Sequence, residues 1–113
     1  MLTSGDVFDL DLGLPQGREA GFRHPGVVVS AQRILSAEPS VVCVVPLTST
    51  VRGFHSEPTI EPDDHNGLSA RSSAQCQHLR AVSTARIVST RGNVGAGTLA
   101  QIRETIATML DIV

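Results

Sequence analysis

Two short runs of apolar, mostly β-branched residues, GVVVS at 26–30 and VVCVVP at 41–46, constrain the fold of this chain more than any other feature. Valine is stiff at χ1, suits a pleated surface, and loses side-chain freedom in a helix. Each run is too short for an independent helix and lacks polar alternation, so both read as strands covered on two faces. Cys43 inside the second run reads as a small buried hydrophobe. A third segment, DVFDLDL at 6–12, alternates strictly, with Phe8, Leu10 and Leu12 on one face and Asp9 and Asp11 on the other, the pattern of a half-buried strand.

Further along, EPTIEP at 57–62 is bracketed by prolines and suits an edge strand. PDDHNG at 62–67 contains the turn dipeptide Asn66-Gly67. SARSSAQCQHLRAV at 69–82 and ARIVSTRG at 85–92 are read as two more strands. The period then changes. From Leu99, apolar residues recur at Ile102, Ile106, Met109, Leu110 and Val113, one face of a helix, with Thr98 and Gln101 suited to a capping box. The expectation is a mainly β fold, a small barrel or strongly bent sheet, with a C-terminal α-helix packed on it. At 113 residues, one domain spanning 1–113 is expected.

Composition narrows the function classes. Aromatic residues make up 3% of the chain, with three Phe and no Trp or Tyr, so the core must rest on aliphatic side chains. A net charge of −2 gives no global positive field for a polyanion, so any such site must be a local cluster. The basic residues are all Arg, the side chain best shaped for bidentate phosphate contacts. Two cysteines make no disulfide framework. The start, MLTSGDVF, lacks a basic region followed by an apolar stretch, and no run is long enough to span a membrane, so a cytoplasmic location is expected.

Three places could carry chemistry. In GREAGFRHPGVVVS at 17–30, Arg18, Glu19, Arg23 and His24 precede Pro25 and the valine strand, at the junction of loop and rigid element where functional groups often sit. The bland alternative is a solvated loop. In PLTST at 46–50, Thr48, Ser49 and Thr50 could donate to phosphate oxygens, although hydroxyls at a strand exit more often close a turn. Asp63, Asp64 and His65 are consecutive and cannot converge on one ion without a special backbone, so they read as turn rather than metal site.

Taken in order, GDVFDLDLG, GREAG, RHPGVVVS, VVPLTST and NGLS followed by AQCQHLRAV resemble the MazF/PemK family of toxin endoribonucleases over nearly the whole chain. The resemblance implies a compact β-barrel of the Src-homology-3 type and a homodimer. It also implies cleavage of single-stranded RNA without metal or other cofactor: the 2′-hydroxyl attacks the adjacent phosphate, leaving a cyclic phosphate and a free 5′-hydroxyl. A cognate MazE-like antitoxin would neutralise the toxin through an acidic disordered segment. The family's catalytic pair, an Arg before the strand proline and a Thr after the next strand, falls on the Arg23-His24 dipeptide and on Thr48, and its Glu on Glu19. Arg18, Ser49, Arg52, Phe54 and Gln77 are expected to bind substrate, with Phe22, Phe54 or His55 available for base stacking.

The chain departs from the family pattern at one point. His24 stands immediately before Pro25, where the family has Arg, and Arg23 lies one place earlier. Neighbouring strand residues face opposite ways, so one does not simply replace the other. Either Arg23 swings into the groove from an irregular backbone, or His24 faces it. Arginine stabilises phosphorane charge, whereas histidine can take and give a proton. The expected division is His24 for acid–base work, Arg23 as phosphate clamp and Thr48 as donor to the developing oxyanion. Two rival readings are a CcdB-like gyrase poison acting without catalysis and a degenerate member that only binds antitoxin.

Overall fold

The computed structural model describes residues 1–11 and 23–112. Arg18, Glu19 and Phe22 therefore lie outside the described residues. Seven antiparallel strands, β1 (Asp6–Asp11), β2 (Arg23–Val28), β3 (Val41–Thr48), β4 (Thr59–Ile60), β5 (Ser72–Ala74), β6 (Arg80–Ser83) and β7 (Ile87–Asn93), form one bent sheet in the order β4-β5-β3-β2-β1-β7, with β6 also paired to β3. A one-turn helix α1 (Gln32–Leu35) follows β2, and α2 (Ala96–Met109) closes the chain. The mainly β fold with a C-terminal helix is thus the one expected.

Both faces are covered from Gly26 to Val28 of β2 and from Val44 to Leu47 of β3, where the sequences are continuously apolar. On one face Val7, Val27, Val45 and Leu47 pack with Leu99 and Ile102 of α2. On the other, Phe8, Leu10, Val28, Val42 and Val44 pack with Leu35 of α1 and Val82 of β6. Paired residues of an antiparallel ladder share a face. The β1–β2 register runs Val7↔Val27, Asp9↔Pro25 and Asp11↔Arg23, so the face under α2 is apolar at one end and turns polar at Asp9 and Arg23. The cleft described below lies at this end of the β1–β2 ladder and is lined by residues of both faces.

Several expectations are corrected. Cys43 is exposed, because β3 alternates at its start, and Cys76 is the buried cysteine. Burial pushes the Cys76 thiol up to about 11, so it is inert at neutral pH. The segment 69–82 is not one strand: a single 3-10 turn at Cys76–His78 divides it into β5 and β6, which bend the sheet around. No capping box forms, since α2 begins at Ala96 with Gly95 as its N-cap and no side-chain cap, leaving Thr98 inside the helix. Met109 and Leu110, placed on the helix's packed face by periodicity, are exposed. Helix α1 carried no signal in the sequence reading; it buries only Leu35. EPTIEP does supply the edge strand β4, and 63–66 does form a turn, in which Asp63 Oδ1 accepts from the backbone N–H groups of His65 (2.7 Å) and Asn66 (2.8 Å).

Candidate active site

Arg23, His24, Pro25, Leu47, Thr48 and Ser49 line one cleft of about 320 Å³ together with Leu68–Ala70, Ser72 and Arg91. The rigid element beneath it is the β1–β2 ladder. Arg23 pairs with Asp11 and His24 with Leu10, so neither residue sits on an irregular lead-in. Of the two alternatives for this dipeptide, an irregular backbone at Arg23 is not what the ladder has: its backbone is paired, and its side chain is exposed.

His24 is half-buried, and its Nδ1 lies 3.3 Å from the carbonyl oxygen of Leu47. A carbonyl only accepts, so this contact puts the proton on Nδ1 and leaves the Nε2 lone pair of the neutral ring available. The β2–β3 pairs are Gly26↔Pro46, Val27↔Val45 and Val28↔Val44; the same register continued past its last pair sets His24 opposite Thr48. His24, not Arg23, thus belongs to the face that Thr48 occupies. Thr48 Oγ1 accepts the backbone N–H of Thr50 at 3.1 Å, closing the local turn. That bond fixes the oxygen and leaves the hydroxyl proton to donate elsewhere.

Arg91 is the cleft residue that the sequence reading missed. The β1–β7 register passes from Phe8↔Thr90 to Val7↔Gly92, leaving Arg91 as the extra residue of a bulge. Bulges re-aim side chains. Here Arg91 Nε donates to Asp9 Oδ1 at 2.7 Å and Ser89 Oγ donates to Asp9 Oδ2 at 2.8 Å. Burial pushes the Asp9 carboxyl up, but the bonds from Ser89 and Arg91 and the nearby Arg91 and Arg23 charges outweigh it, holding Asp9 below its ordinary value. Gly92 was the available signal, since a glycine inside a strand pattern suggests a bulge.

Arg52, Phe54 and Gln77 are not among the residues lining this cleft. They line a separate cavity of about 420 Å³ together with Gln75 and His78. Arg52 forms an ion pair with Glu57, whose side chain is fully buried, and its guanidinium carbon lies 4.4 Å from the centroid of the exposed Phe54 ring. Gln77 Nε2 also donates to Glu57 Oε2. Burial pushes the Glu57 carboxyl up, yet the bonds from Arg52 and Gln77 and the Arg52 charge outweigh it and keep Glu57 below its ordinary value. Among the described residues, no group of three or more His, Cys, Asp or Glu is arranged to hold a metal ion.

A family model described as PemK-like, MazF-like toxin of type II toxin-antitoxin system matches residues 3–110. The chain belongs to this family. Among its relatives, endoribonuclease MazF9 of Mycobacterium tuberculosis (strain ATCC 25618 / H37Rv) is 30% identical over 116 aligned residues, covering 99% of this chain and 98% of the relative. MazF from Deinococcus radiodurans superposes with a TM-score of 0.79 at 23% identity, over 96% of this chain and 94% of that one. An endoribonuclease in complex with its cognate antitoxin from Mycobacterial species superposes with a TM-score of 0.78 at 21% identity, over 100% and 98%. In this MazF-like toxin His24 is held within a strand ladder, with Arg23 beside it and Arg91 lining the same cleft from a bulge.

Proposed function

We propose that this MazF-like endoribonuclease toxin cleaves single-stranded RNA in the cleft between β2, the β3 exit and Arg91. His24 Nε2 takes the proton of the ribose 2′-hydroxyl as that oxygen attacks the adjacent phosphorus. Arg23 and Arg91 offset the charge gathering on the non-bridging oxygens, and the Thr48 hydroxyl donates to one of them. As the bond to the leaving 5′-oxygen breaks, that oxygen takes a proton from water, and the products are a 2′,3′-cyclic phosphate and a 5′-hydroxyl end, His24 returning its proton to solvent. Ser49 lies at the mouth as a further hydroxyl donor. Glu19 and Arg18, from the segment between β1 and β2, complete the proposed set as catalytic and substrate-binding residues. The observation that carries the reading is that Arg23, His24, Thr48 and Ser49 line a single cleft.

The context proposed with it is a one-domain toxin over residues 1–113, acting in the cytoplasm as a homodimer to inhibit translation and growth, and neutralised by a MazE-like antitoxin. Among the described residues, no helix is long and apolar enough to cross a membrane. The test is incubation of the purified protein with RNA in EDTA, followed by mapping of fragment ends. Fragments with 5′-hydroxyl ends are expected, and intact RNA together with gyrase inhibition would overturn the reading. If His24→Ala keeps full cleavage while Arg23→Ala abolishes it, the division of labour is wrong.

A further inference from the structure

Glu57 presents a carboxylate with no exposed side-chain surface, held by the Arg52 cation and by the side-chain amides of Gln77 and Gln75. Burying a carboxylate costs several kcal/mol unless its oxygens are satisfied, so Glu57 dictates the groups around it. Its oxygens can only accept. The Gln77 amide must therefore turn its Nε2 inward, as it does, and present its carbonyl oxygen outward. Arg52 spends Nε and one Nη on Glu57 and lies against Phe54, which keeps about half of its surface exposed. One wall of the cavity is thus an aromatic face, and beside it stands an acceptor of fixed polarity.

Resting on the endoribonuclease reading above, we propose that this cavity binds an unpaired nucleobase next to the scissile phosphate, and that Glu57, by fixing the Gln77 amide, makes it select a base with an exocyclic amine at its outer edge (adenine or cytosine) over one with a carbonyl there (guanine or uracil). The base stacks on Phe54, a contact that tolerates every base. Selection comes from the Gln77 carbonyl oxygen, which accepts from the amine of cytosine and repels the carbonyl oxygen of uracil. Arg52 is three residues from Ser49, at most about 11 Å away along an extended backbone, a separation that a few nucleotides of extended RNA can span. Glu57 is a positioning residue, since it acts on the base only through Gln77.

The test measures binding of short fluorescent oligocytidylate and oligouridylate, which requires no cleavage. Wild type is expected to bind the cytidylate about tenfold more tightly. Gln77→Ala, at an exposed position, should bring the ratio close to one. Phe54→Ala should weaken both ligands about equally. Glu57→Gln lets the Gln77 amide turn over and should reverse the preference. Equal binding by the wild type, a preference for uridylate, or an unchanged ratio in Gln77→Ala would overturn the proposal. A wild type that shows the preference but leaves RNA intact would instead overturn the nuclease reading alone.

Discussion

The imidazole of His24 and the main-chain carbonyl of Leu47 meet at 3.3 Å across the end of the β2–β3 pair, one residue before Thr48. That contact does for His24 what a carboxylate does for the histidine of a hydrolytic triad: it selects the tautomer and aims the second nitrogen. The orienting group is backbone, so no side-chain substitution at Leu47 removes it.

His24→Asn follows as the informative variant. Its side-chain amide can still donate to the Leu47 carbonyl but offers no basic nitrogen. Single-turnover cleavage is expected to fall by about 10²- to 10⁴-fold while the thermal midpoint stays close to wild type. A variant that cleaves normally would remove His24 from the chemistry.

Thr48→Val tests the hydroxyl at constant shape. The loss of the acceptor for the Thr50 N–H should cost about 1 kcal/mol of stability, and loss of the oxyanion donor about 10- to 1000-fold in kcat. Arg91→Ala should act differently. It should weaken RNA binding and flatten the salt dependence, since one phosphate contact is removed while the acid–base group stays in place. Affinity measured against salt concentration separates the two.

Two carboxylates make the fold acid-sensitive in a defined window. Asp9 and Glu57 both lie below their ordinary values of 3.8 and 4.5 once folded. A depressed folded pKa contributes stability that is full above the unfolded value and disappears as pH falls through the folded one. Thermal midpoints should therefore be flat above about pH 5.5 and decline below about pH 4.5. Asp9→Asn should make the decline shallower, and midpoints measured from pH 3 to 7 check this.

How much of this was legible follows from what each residue depends on. The valine runs and the alternation of β1 are local patterns, and they did give strands. Arg23, His24 and Thr48 lie together because those strands pair, which the resemblance anticipated. Arg91 was hidden because a bulge, not periodicity, aims it, and a bulge is set by the partner strand. The ion pair of Arg52 was not legible, because its carboxylate partner, five residues on, belongs to a buried cluster that also needs Gln77, 20 residues further away. The exposure of Cys43 depends on where the apolar layer shared by Val45, Leu47 and α2 ends along β3, which the strand's own sequence does not set.

The turn at 63–67 leads into the cleft-lining residues Leu68–Ala70 and packs on β7, with Gly67 against Arg91 and His65 against Gly92 and Asn93. Its φ is +66°, in the left-handed region, and a Cβ there would lie 2.3 Å from the carbonyl oxygen of Arg91. The turn and the bulge are therefore packed backbone to backbone, with Asn66 buried beside them and accepting the N–H of Leu68 at 3.0 Å. Gly67→Ala must strain the turn or push β7 away. The expected cost is about 1–3 kcal/mol. The push falls on the residue that carries the Asp9 ion pair, so RNA affinity should drop along with stability. Gly53→Ala is the control, for it has a similar positive φ of +72° but nothing within 4 Å of the added methyl. If both variants lose stability alike and neither loses affinity, backbone strain alone explains them, and the turn does not position Arg91.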